Sequence, residues 1–396
     1  MDRRVAVVGA GYAGMAAAVT LAERGVRVTV FESGPVPGGR ARRVTTDGRE
    51  LDNGQHILIG AYTELLRLMR LVGAPRDALK RMGLDLRYAD GFRFRGARDL
   101  LFSSRIPLRE RLDAVRFFVF LRKSNFQLPE DTSVTELLER HGQNGVLGHY
   151  VWRPLCVSAL NTPPGRASAQ VFATVLRDSL AGPRGASDLL LPRVDLSRLF
   201  PEPACEFVTA RHGEIRLSSP VRSLKDLQDD FPAVIIAVGP HQLKALLPER
   251  APEYDYQPIY TCYLQYPGAV ALPSPMLGLS EGLVQWAFDR AALTGEAGLV
   301  ACVISAQGDH QQMAQDELAA ACHRELKAAL RTLPDPLWSR VIAEKRATIA
   351  CGAGLRRLDF RICDGLLLAG DYLDPDYPPT LEAAVRSGIR AARELF

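Results

Sequence analysis

The sequence lacks the features that usually mark metal-binding, nucleic-acid-binding and membrane-spanning proteins. Its seven cysteines are scattered, without a C-x-x-C pair or a Cys/His spacing suited to zinc. The formal net charge of +4 over 396 residues is small, and no basic run is interleaved with aromatic residues. No apolar run is long enough to cross a bilayer. We therefore predict no metal site, no nucleic-acid partner and, at most, contact with one side of a membrane.

The cysteines also predict a cellular compartment, and the composition predicts the number of domains. Scattered cysteines usually stay unpaired and are buried as small apolar residues in a reducing compartment. We therefore predict a cytoplasmic protein. An apolar strand begins at Val5, so we expect no signal peptide. With 47% hydrophobic and 24% charged residues, the chain has the composition of a globular protein with about two domains.

The N-terminal segment carries a nucleotide-binding pattern. Residues 5–8 form a short apolar run suited to a buried parallel strand, and Gly9, Gly11 and Gly14 follow with the spacing G-x-G-x-x-G. One glycine is needed for the tight turn, one for the close approach of the backbone to a pyrophosphate, and one for the packing of the helix on the strand. Glu32 ends the next strand, where a carboxylate can accept hydrogen bonds from a ribose. The pattern predicts a dinucleotide site, and the acidic residue argues against NADP.

Three further segments are candidates for the same site. The loop PVPGGR contains Gly39 and Arg40, bare backbone beside a guanidinium able to bind phosphate, although such a loop can also be a solvated turn. His56 follows a polar cluster and could be either structural or catalytic. Near the C-terminus a buried strand ends in Gly370-Asp371, and Thr380 is a plausible N-cap of the closing helix.

A helix is predicted over residues 108–123, with two interpretations. It carries Phe117, Phe118 and Phe120 among several arginines. It could be a core-facing helix with a solvated basic face, or an interfacial helix that rests on anionic lipid, which would make a membrane surface a partner.

These motifs together resemble a known group of flavoproteins. GAGYAG with Glu32, PGGRARR, and GLLLAGD with YPPTLEAAVRSG are similar to the FAD-binding architecture of phytoene desaturases, protoporphyrinogen oxidases and flavin amine oxidases. Within that group, LDNGQHILIGAY, WRPLCVSALNTPP, SDLLLPRVDLSRLFPEPA and QWAFDR resemble the hydroxysqualene dehydroxylases. The resemblance implies an α/β fold with a Rossmann-like FAD-binding domain (1–85, 205–248 and 345–396). A discontinuous α+β substrate-binding domain would comprise 86–204 and 249–344.

The resemblance also implies which residues contact FAD. They are Gly9, Gly11, Tyr12, Ala13, Gly14, Glu32, Ser33, Gly39, Arg40, Gly54, Gln55, His56, Val221, Gly370, Asp371, Thr380, Leu381 and Ala384.

The implied reaction is the reduction of hydroxysqualene to squalene by reduced FAD, with an apolar C30 isoprenoid as partner and a place in squalene and hopanoid biosynthesis. It needs an acid for the departing hydroxyl; His56 is the first candidate and Asp289 the second. A carotenoid-type desaturase and an amine oxidase are alternative enzymes on this scaffold. A prenyl-lipid carrier related to GDP-dissociation inhibitors is the non-enzymatic alternative. No oligomeric state is predicted.

Overall fold

The computed structural model describes residues 4–268 and 270–395. The strands are β1 (Arg4–Val8), β2 (Arg27–Phe31), β3 (Arg43–Thr46), β4 (Arg49–Asp52), β5 (Leu58–Ile59), β6 (Leu79–Met82), β7 (Leu86–Arg87), β8 (Arg93–Phe94), β9 (Leu189–Pro192), β10 (Glu214–Arg216), β11 (Ala233–Ile236), β12 (Tyr256–Gln265), β13 (Met276–Gly278), β14 (Trp286–Asp289), β15 (Leu299–Ser305), β16 (Trp338–Ile349), β17 (Arg361–Cys363) and β18 (Leu366–Leu368).

The helices are α1 (Tyr12–Glu23), α2 (Thr63–Leu71), α3 (Ala97–Phe102), α4 (Leu108–Lys123), α5 (Val134–Arg140), α6 (Arg153–Leu160), α7 (Ala169–Ser179), α8 (Leu196–Leu199), α9 (Pro201–Thr209), α10 (Leu224–Asp230), α11 (Pro240–Leu246), α12 (Arg290–Thr294), α13 (Gln315–Leu330) and α14 (Leu381–Glu394). A π-helical turn (Gly148–Trp152) precedes α6, and a 3-10 turn (Asp309–Gln312) precedes α13. Within the described residues, no helix is both long and apolar enough to span a bilayer.

A six-stranded sheet brings the two ends of the chain together. Its order is β10-β2-β1-β11-β18-β17, and every pairing is parallel except that of β17 with β18. Apart from Arg4 at the start of β1, strands β1, β11 and β18 are apolar, as expected for a parallel sheet with helices on both faces. The carboxyl ends of β1, β2 and β18 therefore meet at one edge, where ligands bind in open α/β sheets.

Helices α1 and α14 pack tightly together on one face of this sheet. A Cβ atom on Gly388 of α14 would lie 2.1 Å from the carbonyl oxygen of Ala13, so glycine is needed where the helices cross. Most of α1 is buried, and its alanines and Met15 fill the space between α14 and the sheet. This packing fixes the start of α1 relative to the start of α14.

A second, antiparallel sheet has the order β13-β14-β15-β12-β16. One face packs on α13 through Leu318, Cys322 and Leu326. The other face joins a core that includes Trp152 and Phe172 from the helices between α4 and α7. The predicted α/β class with a Rossmann-like sheet and a second α+β region is thus confirmed.

Smaller sheets connect these parts. A three-stranded sheet of order β5-β9-β6 joins segments near residues 58, 80 and 190, and β3 pairs with β4 as a hairpin. The assignment of residues to two domains stays a prediction. Two of its boundaries, at 205 and 345, fall inside α9 and β16.

Candidate active site

A cavity of about 970 Å³ lies against the carboxyl ends of the parallel strands and extends to the antiparallel sheet. This volume is near the upper end of the usual range for ligand sites. Its lining has two chemical parts. The nucleotide end is formed by the glycine loops after β1 and β2, the end of β18 and the start of α14. The apolar end is formed by side chains of α6, α7 and β13–β15.

Glycine stands at the three motif positions for different structural reasons. Gly9 has a φ of +105°, and a Cβ atom there would lie 2.6 Å from the carbonyl oxygen of Ala237. A Cβ atom on Gly14 would lie 1.9 Å from the carbonyl oxygen of Gly9. At Gly11 the nearest atom would be the Cα of Gly39, 3.8 Å away. The fold itself therefore requires Gly9 and Gly14, whereas Gly11 leaves open space where a pyrophosphate would approach the backbone.

The second glycine loop faces the first across this space. Gly39 has a φ of +63°, and a Cβ atom on it would lie 3.2 Å from the Cα of Gly11. The Gly38 N–H donates a hydrogen bond to the carbonyl oxygen of Ala10 (2.8 Å), which ties the two loops together. The pair forms a narrow cradle of bare backbone, which fits a pyrophosphate.

Glu32 lines the cavity and also holds its loops. One carboxylate oxygen accepts a hydrogen bond from the Ala10 N–H (2.8 Å), and the other accepts from the Gly34 N–H (2.7 Å) and the Ser33 hydroxyl (3.2 Å). Carboxylate oxygens have further lone pairs, so Glu32 can still accept hydrogen bonds from a ribose. Its role in positioning the glycine loop was not predicted.

Arg40 joins the glycine loops to the end of β18. One guanidinium nitrogen donates to Asp371 and another to the carbonyl oxygen of Ala347, each at 2.6 Å. Burial alone would lower the pKa of Arg40, but the charge of Asp371 and its hydrogen bond raise it above its usual value. Arg40 is therefore a fixed cation at the nucleotide end, a suitable partner for phosphate.

The start of α14 completes this end of the cavity. Thr380 is the N-cap, as predicted, and its hydroxyl accepts a hydrogen bond from the Ala383 N–H (3.2 Å). Thr380, Leu381 and Ala384 line the cavity, so the positive end of the helix dipole faces it. The buried carboxylate of Glu382 points the other way and accepts hydrogen bonds from the first N–H groups of α2.

Gly54, Gln55 and His56 also line the cavity. The Nδ1 atom of His56 is 2.8 Å from the carbonyl oxygen of Gly54. Since a carbonyl oxygen carries no proton, Nδ1 must be the donor, which leaves Nε2 for a ligand. Burial lowers the pKa of His56 below its usual value; the hydrogen bond to Gly54 opposes this shift, and the charge of Arg40 adds to it.

A buried ion pair behind this segment was missed by the sequence reasoning. Asp52 and Arg290 lie 3.3 Å apart, and Arg290 also donates to Gln55 (3.2 Å) and pairs with Glu296 (2.9 Å). The Leu196 N–H donates to Asp52 (2.8 Å). Burial raises the pKa of Asp52 to about 6, although Arg290 and this N–H lower it. The pair therefore connects LDNGQH to QWAFDR and to SDLLLPRVDL.

Two predicted cofactor residues and one predicted acid do not line the cavity. Gly14 acts inside the turn, and Val221 packs at the edge of the apolar core beneath β1 and β11. Asp289 is buried as the N-cap of α12, where it accepts hydrogen bonds from the N–H groups of Ala292 (3.1 Å) and Leu272 (2.9 Å). The structure thus gives Asp289 a capping role, and we do not retain it as the acid.

The apolar end is lined mainly by hydrocarbon and aromatic side chains, with Ser158, Ser179 and Ser305 among them. Phe94, Leu155, Met276 and Phe288 are among its side chains. Trp286 of QWAFDR lines it too, and its indole N–H donates to the Ser158 hydroxyl of α6 (3.1 Å). The surface suits a long hydrocarbon, which gains free energy by leaving water.

The fold and the two-part cavity define a dinucleotide-binding protein with room for an apolar ligand. The model of the family "flavin containing amine oxidoreductase" matches residues 12–396, and the chain belongs to that family. A flavin bound through a dinucleotide cradle is FAD. The protein is therefore a FAD-dependent oxidoreductase, and membership of this family sets the carrier alternative aside.

Individual relatives narrow the comparison further. The chain is 27% identical to the hydroxysqualene dehydroxylase of Sinorhizobium fredii over 99% of this chain and 98% of that protein. It is also 27% identical to the hydroxysqualene dehydroxylase of Rhodopseudomonas palustris, with the same coverage. Among solved structures, an oxidoreductase from Methanosarcina mazei is similar with a TM-score of 0.77 and 15% identity, over 99% of this chain and 100% of that one. The structural likeness confirms the fold.

Proposed function

We propose that this protein reduces the allylic alcohol hydroxysqualene to squalene. The observation that carries the proposal is that the FAD cradle and a large apolar end line one and the same cavity. The relatives named hydroxysqualene dehydroxylase support the choice of substrate. A C30 hydrocarbon with one hydroxyl group suits a lining that is mainly hydrocarbon and aromatic with a few hydroxyl groups.

Named residues would hold the cofactor. The backbone at Gly11 and Gly39 would hold the pyrophosphate, and Glu32 would bind the adenosine ribose. Arg40 and Asp371 would bind the phosphate and ribityl end. The start of α14 would place N–H donors near the flavin, where they favour negative charge. Bound FAD in its reduced form would supply two electrons and hydrogen, and the protein supplies placement and protons.

The overall change breaks the C–O bond of the substrate, forms a C–H bond and releases water. The departing hydroxyl needs a proton, and the geometry favours His56 as its donor. Because Nδ1 donates to Gly54, only Nε2 can serve the substrate, and it carries a proton only when the imidazole is charged. A lowered pKa makes the charged imidazole a stronger acid, although a smaller fraction is charged at neutral pH.

An anaerobic single-turnover experiment tests the proposal. The FAD-loaded protein is reduced and mixed with hydroxysqualene, the visible flavin band is followed, and the lipid is extracted. We expect oxidised flavin to return together with squalene. If the flavin stays reduced and the alcohol is recovered, the proposal is wrong. Oxidised protein would then be tested with a polyene, as for a desaturase, and with an amine, as for an amine oxidase.

A further inference from the structure

Helices α3 and α4 expose an apolar surface that the cavity does not use. We call it the α3–α4 strip, and its exposed fractions are 62% for Leu101, 79% for Phe102, 63% for Leu108, 50% for Leu112, 50% for Val115 and 46% for Val119. Elsewhere in the described chain, large exposed apolar side chains are confined to Leu217 and Leu337. The clustering on two adjoining helices marks an interaction surface.

The strip is a separate face of α4, not an incomplete core. Leu108, Leu112, Val115 and Val119 follow helical spacing along one side. The opposite side is buried through Ala114, Phe117 and Leu121, which belong to the core of the helical region. The predicted helix over residues 108–123 is confirmed. Its Phe117 is buried and faces the core, so the exposed side of α4 is formed by leucine and valine side chains.

The strip is also preformed. A guanidinium nitrogen of Arg111 donates to the carbonyl oxygen of Leu101 (2.9 Å), which holds the end of α3 against α4. The Leu147 N–H donates to the Glu110 carboxylate of α4 (3.2 Å). At the start of α3, Asp99 pairs with Arg95 (2.8 Å). Binding would therefore order few additional groups, which reduces its entropic cost.

Charge around the strip identifies its partner. Residues 97–123 contain seven basic and three acidic residues, a net charge of +4 that equals that of the whole chain. The side chains of Arg109 and Arg116 are 95% and 78% exposed and share one carboxylate, that of Asp113, at 3.9 and 2.9 Å, so the pair keeps a net positive charge; Asp99 is buried. An apolar face flanked by arginine is the pattern that binds anionic bilayers. We propose that the α3–α4 strip docks this protein on an anionic lipid surface.

The position of the strip fits that role. Phe117 and Phe118, on the inner side of α4, contact the ring of Trp152. The adjacent Val151 and the nearby Leu155 line the apolar end of the cavity. The strip thus lies outside the helical layer that encloses the apolar end, so a docked protein would hold that end close to the hydrocarbon of the bilayer.

The test is sedimentation of the full-length, FAD-loaded protein with vesicles of phosphatidylcholine, with or without phosphatidylglycerol. We expect binding to the anionic vesicles, weakened by salt. Leu112→Asp/Val115→Asp should reduce partitioning at least about tenfold, because two apolar contacts are replaced by charges. Leu337→Asp is the matched control, since Leu337 is 73% exposed outside the strip, and it should bind as the wild type does.

A second pair of variants separates docking from misfolding. Arg109→Glu/Arg116→Glu leaves the apolar strip intact and should weaken binding to anionic vesicles while flavin absorbance and circular dichroism stay unchanged. Failure of the wild type to sediment with anionic vesicles would overturn the proposal, as would equal losses in the Leu337→Asp control. A dimer in light scattering that Leu112→Asp/Val115→Asp dissociates, without vesicle binding, would assign the strip to a second copy of the chain instead.

Discussion

The buried pair of Asp52 and Arg290 allows a quantitative test of how the active-site segment is held. Both side chains are nearly inaccessible, at 2% and 4% exposure. Arg290→Gln would leave the Asp52 carboxylate with the Leu196 N–H as its remaining donor. Asp52→Asn would leave Arg290 paired with Glu296. The two variants remove the same ion pair, but Arg290→Gln leaves Asp52 and Glu296 without their cation, whereas Asp52→Asn leaves Arg290 with a partner.

The magnitudes follow from that asymmetry. A buried charge without its counter-ion costs about 3–5 kcal/mol, so we expect a loss of this size for Arg290→Gln at pH 8. Asp52→Asn should cost about 1–2 kcal/mol, because the cation keeps a partner and the amide can still accept a hydrogen bond. The double variant should be less destabilised than the sum of the two, since neither charge is then left alone.

The pH dependence gives a further check. The pKa of Asp52 is raised to about 6 in the folded protein, so its carboxyl is ionised at pH 8 and largely protonated at pH 5. A protonated carboxyl needs no counter-ion. Because Arg290 lowers the pKa of Asp52, its removal raises that pKa further, and the loss caused by Arg290→Gln should shrink as the pH falls from 8 towards 6. For this group alone the folded state binds more protons than the unfolded state between about 4 and 6, so its contribution to stability falls as the pH rises.

Urea unfolding of the FAD-saturated proteins at both pH values measures these quantities, with circular dichroism and flavin release followed together. A loss below about 1 kcal/mol for Arg290→Gln at pH 8, or strict additivity in the double variant, would refute the reasoning. Since Arg290 also donates to Gln55, a shift of the flavin absorption band in this variant would show that the pair positions the cavity lining.

Three further predictions concern the cradle and the acid. Gly11→Val should abolish FAD retention while the apoprotein still folds, because the new side chain enters open space; stoichiometric yellow cofactor would contradict this. Gly14→Ala should instead lower the thermal midpoint of the apoprotein, because its Cβ would clash with the carbonyl oxygen of Gly9; an unchanged midpoint would be inconsistent with the turn. If His56 donates a proton, kcat/KM should rise as the pH falls towards its lowered pKa and then level off, and His56→Phe should remove this limb; a fall towards acid pH would mark His56 as a base.

Much of the nucleotide end could be predicted because its features depend on residues that are close together in the sequence. The spacing of Gly9, Gly11 and Gly14 after an apolar run specifies a strand, turn and helix within a few residues. Thr380 could be predicted as an N-cap because capping depends on the next three residues. The helix at 108–123 begins and ends where its pattern predicted. These features need no knowledge of distant parts of the chain.

Features that depend on distant partners were not predictable in the same way. Arg290 was overlooked because Asp52 is 238 residues away in the sequence. Asp289 was chosen as an acid, yet an aspartate before a short helical run is an N-cap signal, and that pattern could have corrected the choice. For α4 the sequence contains two apolar faces, and only the tertiary fold shows that Phe117 faces inward and Leu112 outward.

The difference between the generic and the specific motifs has a structural cause. The glycine motif needs to satisfy only its own turn and the nucleotide, so many proteins can share it. The segment around Asn53 must fit the Arg40 loop and the antiparallel sheet at once. The Asn53 amide donates to the Arg40 carbonyl oxygen (3.0 Å) and to Glu344 of β16 (3.1 Å), and the Tyr263 hydroxyl of β12 donates to the Asp52 carbonyl oxygen (2.9 Å). A change in the Arg40 loop or in the antiparallel sheet would therefore alter this segment, and with it the position of His56 in the cavity lining.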